Sequence, residues 1–258
     1  GTGATDLADD PIPERRREFV RFQLKSRQDQ LRDLIAHARS VSPRPIAFAG
    51  NAVNLGPQYQ IQAAVLDFLV FETLLPLPPQ GRLIALHRLG YQLMRGGITA
   101  MFPNIINLLD MVNSGKDWDV ITQRLAEAWA AQQSFLIPHN AYVFGGGTST
   151  VTGTATAPVE RIGPMTALAW SHRDLRDGQL VARVGLVYSF HEVLREYLET
   201  GYAFSYTTIG HHNAFLALGE ELQKRHVLFD VVYAGDQELI PRRLDAKRLA
   251  AYDTLIVP

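Results

Sequence analysis

The chain has 258 residues, 47% hydrophobic and 20% charged, with a formal net charge of −1, a composition that excludes a disordered or fibrous protein. Its 25 basic against 26 acidic residues give no global field to gather nucleic acid or an anionic membrane, so neither is expected as a partner. Cysteine is absent, which rules out disulfides, thiolate nucleophiles and cysteine-ligated metal centres without fixing the compartment.

Residues 1–10 are small and acidic and read as a flexible lead-in rather than a signal peptide. The first residue is Gly1, so the expectation is a start inside a longer protein or on an expression remnant. Pro11 and Pro13 then precede a segment in which Phe19, Phe22, Leu31, Leu34, Ile35 and Ala38 recur at helical spacing, and a long helix is predicted from Glu14 to Arg39. Its Arg15-Arg16-Arg17 run is interleaved with Glu14, Glu18, Asp29 and Asp33, the pattern of a solvated face rather than a phosphate contact.

Ser42-Pro43-Arg44-Pro45 ends that helix, and Ile46 to Ala49 follows as a short buried strand stopped by Gly50-Asn51. Leu66 to Phe71 reads as a second strand and Leu83 to Leu86 as a third, with a short helix through Met94; Ile98 to Phe102 is a fourth. Such apolar runs, interrupted by Asp67 and Glu72, fall far short of the roughly 18 residues of a membrane span, and a soluble protein is expected, the cytoplasm favoured. Near-continuous apolar strands alternating with helices indicate a parallel sheet covered on both faces. Asp117 to Gln133 places Trp118, Ile121, Leu125, Ala128 and Trp129 on one helical stripe.

From Phe144 to Pro158 the composition turns to Gly and Thr. No GxxxxGK[ST] lysine follows the glycine triplet, so residues 144–180 read as a linker and connecting segment. Beyond it come a strand at Val184 to Tyr188, helices at His191 to Leu198 and His211 to His226, a strand at Leu228 to Tyr233, a helix at Leu244 to Ala250 and a strand at Thr254 to Val257. This β-α-β-α-β order opens a doubly wound sheet. Too few strands are visible in the first region to close a barrel of eight, and the second sheet has apolar edges; both modules are expected to be completed by further chain or by self-association.

The stretches Val184 to Ser189, Glu221 to His226, Val227 to Val232 and Tyr252 to Pro258 resemble the flavodoxin-like middle domain of family 42 β-galactosidases and related glycoside hydrolases, a trimerisation domain similar to class I glutamine amidotransferases. In that family it follows a (β/α)8 catalytic barrel. Residues 1–143 resemble the later half of such a barrel: Phe19 to Ala38 the helix before the fifth strand, Ile46 to Asn51 that strand, and Leu66 to Glu72 the sixth. The expected fold is therefore α/β, a partial (β/α)8-barrel region over 1–143 and an incomplete flavodoxin-like, doubly wound domain over 181–258. The resemblance implies a carbohydrate substrate, β-galactosidase-like hydrolysis and a homo-oligomer, with no cofactor. It also marks a departure: the family's nucleophilic glutamate lies on the seventh barrel strand, and the candidate for that strand, Arg82 to Leu86, holds no carboxylate.

Glycoside hydrolysis usually needs two carboxyl groups, about 5 Å apart in a retaining enzyme. Between Arg39 and Asp110 the only acids are Asp67 and Glu72. Glu72 ends a parallel strand at its carboxyl end, where barrel sites are assembled; it is the candidate catalytic carboxylate, or else a strand-end acid satisfied by Arg82, Arg88 or backbone amides. Asp67 is expected to be structural. Asn51 and Asn54 are candidates to bind sugar hydroxyls or to serve the loop turn, and His87 is a candidate for the same mouth. No metal is expected, since His191, His211, His212 and His226 share no i, i+4 ligand spacing. The alternative function is a non-catalytic carbohydrate-binding or oligomerisation protein on the same scaffold; a nucleotide-binding domain is disfavoured because no GxGxxG follows Val184 to Tyr188.

Overall fold

The computed structural model describes residues 11–53, 55–73, 82–94, 99–103, 119–135, 159–177, 180–200 and 210–258. The long helix forms as α1, Pro13–Val41. Proline opens it because the first helical N–H needs no intrahelical partner. Val20, Leu24, Gln28 and Ile35 face inward, whereas Phe22 and Leu34 are 66% and 60% exposed, so the buried stripe is rotated from the predicted one. The arginine run is paired or surface-lying: Arg17 bonds Glu14 at 2.9 Å and Arg16 donates to the Glu199 carbonyl at 3.1 Å.

A parallel four-stranded sheet follows, in the order β1 (Ala49–Val53), β2 (Phe68–Thr73), β3 (Thr99–Pro103), β4 (Ser134–Phe135). Between β1 and β2 lie α2, Pro57–Gln60, and a 3-10 turn, Ile61–Ala64. β1 is displaced from the predicted Ile46 to Ala49 and runs through Gly50-Asn51. Gly50 serves close approach rather than a turn, since a Cβ there would run into the Leu66 side chain and stand 2.5 Å from the Gln62 amide oxygen.

The predicted third strand is overturned. Leu83 to Leu86 belongs to helix α3, Arg82–Leu93, because Ala85, Leu86, Leu89 and Leu93, all buried, share a helical face, and a short apolar run does not by itself distinguish strand from helix. Two more helices of this half lie among the described residues: α4, Asp119–Ala130, and α5, Val159–Ser171. The latter lies inside the stretch read as connecting segment. Residues 136–158, with the glycine triplet, lie outside the described residues. Helix α4 ends in a Schellman motif with Gln132 at φ 66°, its N–H bonded to the Trp129 carbonyl and the Gln133 N–H to that of Ala128.

A parallel three-stranded sheet has the order β6-β5-β7, with β5 (Val184–Ser189) central between β6 (Phe229–Ala234) and β7 (Thr254–Ile256). Helices α6, Phe190–Thr200, and α7, Gly210–Lys224, connect β5 to β6, and the short α8, Ala246–Leu249, precedes β7. One apolar core runs through both sheets, from Leu69, Phe71, Ala85 and Leu89 to Tyr188, Phe215 and Phe229. Helices α3 and α7 touch at glycine: a Cβ on Gly219 would stand 2.5 Å from that of Ala85. Among the described residues no helix is long and apolar enough to cross a membrane. The protein is thus an α/β structure of helices on small parallel sheets.

Candidate functional site

The first sheet has two unlike faces. Ala52, Leu69 and Phe71 are fully buried on the face covered by α3, where a Cβ on Gly90 would stand 2.9 Å from the Phe71 ring. Strand alternation puts positions 49, 51, 53, 70 and 72 on the other face. There Ala49 and Asn51 are exposed and Val70 is half-buried. Position 72, opposite Val53 and Phe102, lies at the carboxyl end of β2. Asn51 is opposite Val70, so the 51 and 72 backbones are roughly 8 Å apart from the usual strand rise and spacing, the span of one sugar ring. The Glu72 side chain and all of Asn54 lie outside what is described. Glu72 is the only acid in the described strands of this sheet.

Two expectations about the mouth need correction. Asn51 is not a strand-end residue but the middle of β1. His87 does not follow a strand; it sits on α3, fully buried, its ring 5.8 Å from that of Phe71, on the face away from position 51. A helical register turns it into the core, which a strand reading of Leu83 to Leu86 could not show.

Asp67, at the amino-terminal end of β2, ties the strand to α1. It accepts from Arg39 at 2.8 and 2.7 Å and from the Phe48 N–H at 2.7 Å. The Phe48 N–H, more than Arg39, holds its carboxyl below the usual carboxylate range. Arg88, one of the residues expected to satisfy Glu72, instead binds Asp230 of β6 at 2.6 Å and the Gln132 carbonyl oxygen of the side chain at 2.7 Å. Asp230 also accepts from Tyr252 at 2.9 Å and from Gln92 at 3.2 Å, and Arg248 reaches Gln92 at 2.5 Å. This polar network fastens α3 to the second sheet.

A second network does the same from α2. Tyr233 donates to Gln60 Oε1 at 3.1 Å, Gln60 Nε2 donates to the Tyr188 oxygen at 2.6 Å, and Tyr188 stands 3.1 Å from His212 Nδ1. Because the Tyr188 oxygen accepts from Gln60, its proton goes to Nδ1, which makes His212 a neutral acceptor. Burial, with His211 adjoining, pushes the His212 pKa down to about 4. Sequence reading missed Gln60, since nothing in its neighbourhood signals a buried amide.

At the carboxyl end of β5, the Ser189 N–H donates to His211 Nε2 at 2.9 Å, while Ser189 Oγ accepts from the Glu192 N–H at 3.3 Å as a helix cap. His211 therefore faces the serine's backbone and not its hydroxyl, which is no nucleophile–base pair. Burial lowers the His211 pKa against the opposing pull of Glu196 and Glu192. Among the described residues no group of three or more histidine or acidic side chains stands together as a metal site.

A parallel α/β structure with a carboxylate position at the carboxyl end of β2, on the face where Asn51 is exposed, is the class that these observations define. Among solved structures the chain is similar to a β-galactosidase from Rahnella sp. R3, with a TM-score of 0.55 and 14% identity over 94% of this chain and 36% of that one. The likeness is one of fold, and the chain spans about a third of the length of that structure. No protein-family profile and no curated protein sequence matches it.

Proposed function

We propose that the chain is part of a glycoside hydrolase-like protein, β1–β3 forming the last strands of a (β/α)8 barrel and β5–β7 the start of a flavodoxin-like assembly domain. The residue divisions are 1–143 for the barrel part, 144–180 for the connection and 181–258 for the assembly part. The observation that carries this reading is the contrast between the two faces of β1 and β2 among the described residues. In a barrel one face lines the interior and the helix-covered face lies outside, which is the asymmetry between Asn51 and Val70 on one side and Leu69 and Phe71 on the other. The order β6-β5-β7 agrees with the 2-1-3 opening of a flavodoxin-like sheet.

The helical nature of 82–93 removes the candidate seventh strand; with β1 taken as the sixth, β2 as the seventh and β3 as the eighth, β2 fills its place. Glu72 is then the nucleophile-type carboxylate, Asn51 and Asn54 position the sugar, and the acid/base carboxyl is supplied from outside the described strands. The substrate class is a β-galactoside, and the protein works as a homo-oligomer, in solution rather than at a membrane. Incubation with an activated 2-deoxy-2-fluoro-β-galactoside, in the full protein that carries this chain, should leave a glycosyl ester on the peptide that contains Glu72. A label on another carboxylate, or unchanged galactosidase turnover in Glu72→Gln, contradicts the assignment. The second reading, a sugar-binding scaffold without turnover, is favoured by the single acid in the described strands; sugar binding with no label and no turnover would establish it.

A further inference from the structure

An open cleft of about 370 Å³ lies between α4, the start of β4 and α5, lined among others by Trp129, Gln133, Ser134, Thr166, Trp170 and Arg173. It belongs to the helical layer, whereas position 72 is on the sheet's other face. Ser134, the first residue of β4, is opposite Ala100, and position 72 is opposite Phe102, so the cleft is also displaced toward the amino-terminal ends of the strands.

Two features of the cleft are left open among the described residues. Trp170 is 72% exposed, although an indole is the largest apolar surface a side chain can bury. It is nevertheless held in place: the Arg173 guanidinium carbon stands 5.0 Å from its ring centroid, and Arg173 Nη1 donates to the Trp170 carbonyl at 2.9 Å. The arginine props one face of the ring by a cation–π contact and the exposure leaves the other to solvent. A platform ordered beforehand loses little entropy when a ligand settles on it.

The second feature is Gln133, 1% exposed. The Schellman motif fixes its backbone, and its Nε2 donates to the His87 carbonyl at 2.9 Å. Its Oε1 has no hydrogen-bond partner among the described residues. A buried acceptor left unmade is costly, and a turn of this side chain toward the cleft it lines would present the oxygen to an entering hydroxyl. An aromatic face beside amide, hydroxyl and guanidinium groups matches a pyranose, which carries an apolar C–H face and a rim of hydroxyls.

We propose that this cleft is a second, non-catalytic saccharide site in which a pyranose ring stacks on the open face of Trp170 and hydrogen-bonds along the Gln133, Ser134 and Thr166 side. The choice of galactosides as probes rests on the proposed function; the geometry of the cleft does not involve Glu72. The test is titration of the whole chain with galactose and β-1,4-galactobiose, followed by tryptophan emission and ligand-observed NMR. Saturable binding at millimolar sugar is expected, persisting in protein already treated with the fluoro-sugar, and weakened at least tenfold in Trp170→Ala treated in the same way. Trp170→Ala should leave the far-ultraviolet dichroism and the fluoro-sugar label on Glu72 as they were, so the two readings fail separately. The proposal is overturned if neither sugar binds, or if Trp170→Ala binds as well as the wild type. It is also overturned if Trp170 in the free chain is shielded from acrylamide, which shows the chain itself on the ring, or if Trp170→Ala changes the oligomeric state, which shows a second copy there.

Discussion

The Arg88–Asp230 pair offers the sharpest test of how the two sheets are held together. The two side chains are 4% and 13% exposed and 2.6 Å apart, and Asp230 also serves Tyr252 and the Val231 N–H. Asp230→Ala strands a buried guanidinium, a loss of about 3–5 kcal/mol in comparable cases. The lower end applies, because Arg88 keeps its bond to Gln132 and its place 4.8 Å over the Tyr91 ring. A loss of about 3 kcal/mol corresponds to a Tm lowered by roughly 6–12 °C for a chain of this size. Urea unfolding followed by dichroism at constant m-value reads it directly. The double variant Arg88→Met/Asp230→Leu should recover at least half of that loss, since a buried ion pair replaced by apolar residues of like volume is close to neutral. A loss below about 1 kcal/mol in Asp230→Ala, or a double variant as unstable as the sum of the singles, would falsify the account.

Two further outcomes follow from the interface. His212 has a folded-state pKa of about 4 against an ordinary 6.5, so the unfolded chain binds the extra proton between these values. Stability therefore rises with pH across that window and is lost as pH falls through it, by up to about 3 kcal/mol in total. His212→Gln keeps an acceptor for Tyr188 and removes the titration, so its urea midpoint should vary less between pH 4.5 and 7. Gly219→Ala should destabilise by about 1–3 kcal/mol despite the better helix propensity of alanine, because the new Cβ meets that of Ala85. Ala85→Gly in the same chain should restore most of the thermal midpoint.

Local pattern was enough for some elements and not for others. The second sheet was legible because Val184 to Tyr188 and Leu228 to Tyr233 are uninterrupted apolar runs between long helical stripes, and period and length agree there. At Gly50-Asn51 the same reasoning failed: glycine was read as a strand stop, yet it admits Leu66 and Gln62 against the β1 backbone. The segment 83–86 failed for a different reason, since four apolar residues fit either period, and only α3's contacts with Phe71 and Gly219 decide it. His87 was lost from the candidate site with it. For Asn51 the residue type was readable, and its partner position 72 followed only once β1 and β2 were in register.

By itself the sequence determined the class of structure: parallel strands between helices, no thiol chemistry, and Glu72 as the acid to place at a strand end. These are local or compositional properties, set by side-chain period and residue inventory. Tertiary structure decided which face of β1 and β2 is buried, that Gln60, Arg88 and Asp230 join the two sheets, and that Trp129, Gln133 and Trp170 line one cleft. Each of those depends on residues far apart in the chain, brought together by registers and crossing helices that no local pattern encodes.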